Sequence, residues 1–214
     1  ETEKLSHVDL YGIGTNLTCF SFIQADEEKM ECLAEMRRKV ENAAGHTLEI
    51  VSGGNSAALD LMMRGGICEG VDNFRLGESL LFGKERSRYT FLLGTRNDGF
   101  ILECEVVEAK VKPSLPWGTA GVDSYGRKPV FTDRGEKRKK VICAIGRQDF
   151  DAETATPVDE GILILGASSD HLMLDVTDSV KEYKVGDIVE LRLGYFSVLR
   201  AFTSPYVEKI FLKK

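Results

Sequence analysis

The sequence predicts two structural classes in succession, an α/β part over residues 1–90 and a β-rich part over residues 91–214. Three observations predict this. Strand and helix patterns alternate between residues 8 and 83, the signature of parallel βα units. Beyond about residue 95 the apolar runs are short, are separated by turn signals and show no helical period. The length of 214 residues, with 43% hydrophobic and 29% charged residues, suits one or two soluble domains.

The first strand signal is Val8-Asp9-Leu10-Tyr11-Gly12-Ile13-Gly14, ending in the loop Thr15-Asn16-Leu17. Asp26 is placed as an N-cap, because Met30, Leu33, Ala34, Val40 and Ala43 follow at helical spacing and Gly45 suits the C′ stop. A strand over Leu48–Val51 runs into the loop Ser52-Gly53-Gly54-Asn55-Ser56, and a helix is expected from Ala57 to Met63. Asn73–Leu76 reads as a short strand and residues 78–83 as a helical turn ending in Gly83. In the second part the strand runs are Phe100–Val111, Val141–Ile145, Gly161–Leu165, Leu172–Val176 and Ile188–Leu193, punctuated by turns such as Asp98-Gly99 and Gly186-Asp187. No helix is expected there. A complete eight-stranded βα barrel needs ~250 residues. The α/β part is therefore a small doubly wound domain or the C-terminal portion of something larger; the abrupt start favours the second.

Composition excludes several function classes. The 28 Lys+Arg against 34 Asp+Glu leave a net charge of −6, which argues against a general nucleic-acid binder. The one basic cluster, Arg134–Lys140, reads as a solvated hairpin loop. No apolar run reaches the ~18–20 residues of a membrane helix, and the first residues carry no signal-peptide pattern. The five cysteines are odd in number and widely spaced with no C-x-x-C, so reduced thiols in a cytoplasm are expected. The three histidines form no metal motif, and no metal is expected.

In α/β proteins ligands bind at the C-terminal ends of parallel strands. Here those ends are Gly14-Thr15-Asn16, Ser52–Ser56 and Arg75-Leu76-Gly77-Glu78. The second is Gly/Ser-rich and opens a helix, and the third offers a glycine N–H two residues after an arginine. Side by side they suit a phosphate; tight βα turns alone would also use such glycines. Arg75, at the end of an otherwise apolar run, needs a partner. Both an ion pair with an acidic neighbour and a cofactor contact are open.

Gly70–Gly83 resembles the arginine-x-glycine segment of the alanine racemases, and Ser52–Ala58 resembles their asparagine-serine phosphate loop. Tyr11–Leu17 is similar to the strand before it. Val122-Asp123-Ser124-Tyr125-Gly126 resembles the segment of their catalytic tyrosine, and Ile145–Asp149 sits where they have a glycine and an aspartate. Gly166–Leu172 resembles their substrate-carboxylate loop, and Thr203–Val207 lies where their second phosphate-binding tyrosine does. Order and rough spacing hold over residues 8–212. The wording of Gly-Thr-Asn-Leu and Ser-Gly-Gly-Asn-Ser is most similar to the ornithine racemase-like branch.

The resemblance implies the C-terminal part of a (β/α)8 TIM-type barrel over residues 1–90, its last three βα units, and a β-rich domain over 91–214 whose last residues return toward the barrel. It implies a pyridoxal 5′-phosphate-dependent amino-acid racemase with two bases, one the cofactor-anchoring lysine and the other Tyr125. Cofactor binding falls to Asn16, Asn55, Ser56, Arg75, Gly77, Glu78 and Tyr206, and substrate binding to Ser169 and Asp170. A cytoplasmic homodimer with shared active sites is expected, with no nucleic-acid or membrane partner. Without the resemblance, Tyr125 reads as a surface tyrosine in a turn.

Three departures bear on this. Asn16 stands where alanine racemases carry a histidine, and Ser168-Ser169 replaces a Cys-Met pair, which suggests a substrate other than alanine. Nothing resembles the segment of the anchoring lysine, so the chain is expected to be a C-terminal portion, inactive alone. A decarboxylase of the same fold type is the alternative enzyme, but its Glu-Pro-Gly-Arg segment and Cys-Asp pair do not occur. A non-catalytic cofactor-binding protein would end with the barrel.

Overall fold

The computed structural model describes residues 1–123 and 126–213. Two compact units divide it, Glu1–Gly99 and Phe100–Lys214. The sequence reading divides the chain earlier, between residues 90 and 91. The later division has a local cause. A bridge joins Lys84 to Phe91, and the Thr95 hydroxyl donates to the Gly83 carbonyl at 3.1 Å, which holds the intervening segment in the first unit.

The first unit holds three parallel strands in the order β1 (Gly12–Gly14), β2 (Ile50–Asn55) and β3 (Asn73–Arg75). Helix α1 (Glu27–Ala44) connects the first two. The Asp26 carboxylate accepts the Lys29 N–H at 2.9 Å, and Gly45 ends the helix at φ +80°. A 3-10 turn at Ser56–Ala58 leads into α2 (Leu59–Met63), and α3 (Glu78–Phe82) follows β3. Strand side chains alternate between faces. Ile13, Val51 and Phe74 take one face and pack on Met30, Leu33, Leu61 and Val71. Gly14, Ser52, Asn73 and Arg75 share the other parity, with Gly14 paired to Ser52 and Ser52 to Asn73.

Two boundaries move from the sequence reading. β1 keeps only Gly12–Gly14 of the run from Val8, and β2 runs through Ser52-Gly53-Gly54-Asn55, expected as a loop. Parallel partners on both sides supply the ladder that glycine-rich sequence does not favour by itself. Among the described residues these three strands are the unit's parallel sheet; they do not close into a barrel.

The second unit is a six-stranded antiparallel sheet, β4 (Ile101–Lys112), β5 (Arg138–Cys143), β6 (Ala155–Pro157), β7 (Leu163–Ala167), β8 (Leu172–Asp175) and β9 (Ile188–Leu193), in the order β6-β9-β4-β5-β8-β7. The two edge strands touch, so the sheet nearly closes. Alternate residues point inward: Leu102, Cys104 and Val106 from β4, Leu172 and Leu174 from β8, and Val189, Leu191 and Leu193 from β9 are all buried, around Phe150. All five cysteines are free thiols; Cys104 and Cys143 lie in this core.

One expectation fails here. A helix, α4 (Tyr195–Thr203), follows β9 in the half expected to have none. It buries only Ser197 and Ala201 while Tyr195, Phe196, Leu199 and Phe202 stay partly exposed, and with nine residues it is shorter than the stretch over which a 3.6-residue period is read. No helix among the described residues is long and apolar enough to cross a membrane.

The basic cluster also differs from a solvated loop, since Arg138–Lys140 open β5. Arg138 donates to Asp175 and to Asp178, each at 2.8 Å, and Asp175 is 2% exposed. Burial pushes the Asp175 carboxyl up, but bonds from Arg138 and Thr177 outweigh it and hold the group below its ordinary 3.8. This contribution is present above the unfolded carboxyl's value and is lost as pH falls through the lower folded value. Asp175→Asn should cost about 2 kcal/mol of stability at neutral pH. In urea unfolding the gap to wild type should begin to close as pH falls below 3.8 and vanish once pH has fallen through the lower folded value; a gap unchanged in acid would remove the ion pair as its cause.

Candidate functional site

The ends of β1, β2 and β3 converge, and Arg75 joins them. One terminal nitrogen of its guanidinium donates to the Ser52 hydroxyl, and the other donates to the Thr15 carbonyl at 2.8 Å. Gly14 makes room: a Cβ there would lie 3.0 Å from Ser52 Cβ and 3.3 Å from the Arg75 nitrogen. No ion pair among the described residues includes Arg75. Of the two readings open from sequence, the acidic partner is not found; Arg75 keeps an uncompensated charge at an exposed strand end.

A second cluster centres on Ser56. Its Oγ accepts the backbone N–H of Gly77 at 3.3 Å and of Ser79 at 3.2 Å, and lies 3.2 Å from the Ser79 hydroxyl. Both serines are buried. The turn after β3 thus aims backbone donors at one hydroxyl on the turn after β2, a geometry suited to anion oxygens. The Glu78 side chain turns away to Arg86 at 3.3 Å, so only its backbone can serve such a ligand.

Asn55 ties the first two strand ends together. Its carbonyl oxygen accepts the Ala57 N–H, and its amide donates to Asn16 Oδ1 at 2.8 Å and to the Leu17 carbonyl at 3.2 Å. The Cys19 sulfur sits beside both asparagines. Asn16, Asn55, Ser56, Arg75, Gly77 and Glu78 are therefore brought together in the first unit.

In the second unit, the turn between β7 and β8 carries Ser168-Ser169-Asp170. Both hydroxyls donate to Asp170 Oδ1 at 3.2 Å and His171 Nδ1 lies 3.1 Å away; these bonds, that of His171 foremost, hold the Asp170 carboxyl below its usual range. The Gly146–Asp149 turn braces this loop. The Arg147 N–H donates to the Ser168 carbonyl at 2.9 Å and the Gln148 N–H to that of Ser169 at 3.0 Å. A Cβ at Gly146 would stand 2.3 Å from the Asp170 nitrogen, so only glycine permits the approach. The same turn reaches the C-terminal segment, because buried Asp149 accepts the Ser204 hydroxyl at 2.6 Å and the Ser204 Oγ accepts the Tyr206 N–H at 3.1 Å. The Tyr206 side chain is 79% exposed.

No protein-family model matches the chain. An ornithine racemase from Acetoanaerobium sticklandii is 45% identical over 98% of the chain, and a lysine racemase from Thermotoga maritima is 44% identical over 99%. By sequence the chain is a relative of these racemases. It spans 59% of the length of each. In fold it is similar to an alanine racemase from Clostridium difficile 630 solved with cycloserine, with a TM-score of 0.52 and 21% identity over 94% of this chain and 53% of that one. An alanine racemase from Bartonella henselae with covalently bound pyridoxal phosphate also matches, with a TM-score of 0.52 and 17% identity over 86% of this chain and 48% of that one. The fold expected from the resemblance, βα units followed by a β-rich domain, is thereby shown.

Against the racemase resemblance, Tyr125 lies outside the described residues. Ser169, Asp170 and Tyr206 are gathered in the second unit around the Gly146–Asp149 turn. Sequence reasoning missed Ser52, Ser79 and the Thr15 carbonyl as partners of the cluster. Strand parity carried the signal for Ser52, since it lies opposite Gly14 on the face that Arg75 shares.

The Ser56 cluster is testable without any ligand. Ser56→Ala removes the acceptor of one buried and one partly buried N–H group and should cost about 1–3 kcal/mol, read as a lower urea midpoint. An unchanged midpoint would show that Gly77 and Ser79 do not depend on this hydroxyl.

Proposed function

We propose that the chain is the C-terminal part of a pyridoxal 5′-phosphate-dependent racemase of amino acids larger than alanine, with ornithine and lysine the first candidates. The observation that carries this is the pairing, at one set of strand ends, of an uncompensated arginine with backbone N–H groups converging on Ser56. Identity of 44–45% to an ornithine and a lysine racemase supports the choice of substrate class.

The donors fit the group. A phosphate would offer acceptors to the Ser56 hydroxyl and to the N–H groups of Gly77 and Glu78; Tyr206 is added by the racemase resemblance alone. A pyridine nitrogen is an acceptor, and the Arg75 guanidinium is a cationic donor. Bound there, pyridoxal phosphate supplies an electron sink that acidifies the α C–H of an amino acid. Arg75 would hold the ring nitrogen as a hydrogen-bond acceptor, which would moderate the electron sink that the group supplies. Asn16 and Asn55, already bonded to each other, would offer the bound group neutral amides. At Ser169 and Asp170 the backbone would receive the substrate carboxylate, since the Ser169 hydroxyl is spent on the Asp170 carboxylate, which also holds Ser168 and His171. Ser168 and Ser169, where alanine racemases carry Cys and Met, leave room for a longer side chain.

Tyr125 is assigned one of the two faces of the α-carbon by resemblance of its segment, and the anchoring lysine, outside this chain, the other. A homodimer placing the β-rich part of one subunit at the barrel of its partner is part of the same proposal, as is a cytoplasmic location. The chain alone should racemise nothing.

The test uses the full-length protein loaded with pyridoxal phosphate and given enantiopure ornithine, lysine and alanine, with optical rotation followed. Ornithine or lysine should racemise faster than alanine; no racemisation of any of them would overturn the reading. Tyr125→Phe should slow both directions by about 10²–10⁴-fold, as expected for loss of a general base. Exchange of the α-proton with solvent should persist for one enantiomer and nearly stop for the other. Equal suppression of both exchanges would place the second base elsewhere.

A further inference from the structure

Arg75 is held, but by nothing charged. A guanidinium has five N–H donors. Two are spent inside the sheet, on the Ser52 hydroxyl and the Thr15 carbonyl. Ser52 is 5% exposed, so water does not freely replace it. Its backbone carbonyl also accepts the Thr15 N–H at 2.9 Å, so one residue fixes both the loop that supplies the second acceptor and the guanidinium itself. Gly14 leaves open the space the guanidinium crosses. A carboxylate in the place of Ser52 would anchor Arg75 more strongly and also neutralise it. A hydroxyl anchors it and leaves the charge whole.

We propose that Ser52 is a positioning residue: its hydroxyl fixes the plane of the Arg75 guanidinium above Gly14 and aims the remaining donors at the ring nitrogen of pyridoxal phosphate. This rests on the reading of the strand ends as the cofactor site. Ser52 touches neither substrate nor cofactor and acts through Arg75. Its neutrality is part of the function, because an acidic residue there would compete with the ring nitrogen for the same donors.

The experiment uses the full-length protein with ring-¹⁵N-labelled pyridoxal phosphate, and reads the ring-nitrogen chemical shift and the cofactor dissociation constant. Arg75→Ala sets the shift of an unpartnered ring nitrogen. Ser52→Ala and the near-isosteric Ser52→Cys should move the shift part of the way toward it and weaken cofactor binding about tenfold, the size of a lost hydrogen bond to a charged group. Ser52→Asp should move it further, since it draws Arg75 into an ion pair. Circular dichroism of each variant monitors folding, and Ser52→Cys keeps the packing volume if Ser52→Ala perturbs the strand. If Arg75→Ala moves the shift while Ser52→Cys and Ser52→Asp leave it at the wild-type value, Ser52 does not position Arg75 and the cofactor-site reading stands. If Arg75→Ala itself leaves the shift unmoved, or the wild type binds no cofactor, the site reading fails and the role of Ser52 with it.

Discussion

A charged side chain at the end of a parallel strand must find acceptors without losing what its charge is for, and the first unit is arranged around that constraint at Arg75. The strand alternation puts Gly14, Ser52 and Arg75 on one face and Ile13, Val51 and Phe74 on the other. The apolar face packs on the helices and fixes the register. The register then decides which small polar groups lie under the guanidinium. A slip of one residue would carry Val51 to the site and Ser52 to the core, so the hydrophobic packing of this small sheet and the chemistry of its strand ends are one specification.

The neighbouring Ser56 cluster follows a similar rule. Short helices leave N–H groups without partners at their starts, and here the Ser56 hydroxyl meets those of Gly77 and Ser79 within the chain. Donors already converged on one oxygen need little rearrangement to converge on others. The resting hydrogen bonds therefore keep these donors converged and offset the cost of desolvating them.

Much of this was legible in the sequence because it is local. The Asp26 cap, the Gly45 and Gly83 stops and the alternation of strand and helix follow from turn chemistry and period, and the three strand ends were read as the site from them. Arg75 was singled out correctly as needing a partner, but its partners were not found, because Thr15 and Ser52 are distant in sequence and are joined only by strand register. Helix α4 was missed for a different reason. Its nine residues give too few turns for the period to stand out, and Tyr195, Phe196 and Phe202 read equally well as strand residues. The extension of β2 through two glycines was missed because propensity disfavours it, while paired strands on both sides override propensity.

The second unit shows how fixed the approach to a site can be while the residues on it vary. Gly146 lies against the Asp170 backbone so closely that no other residue fits, and the turn it opens holds the backbone carbonyls of Ser168 and Ser169. These bonds are blind to side-chain identity. The loop can therefore carry Ser168 and Ser169 where alanine racemases carry Cys and Met without losing its shape, and the same freedom applies to Asn16, whose partner Asn55 is anchored separately by the Leu17 carbonyl and the Ala57 N–H. A frame held by backbone bonds, with side chains free to change within it, is how one fold accepts different substrates. Under the proposed function, the departures at residues 16, 168 and 169 bear on what the site accepts, and the neutral holding of Arg75 bears on what it does with it.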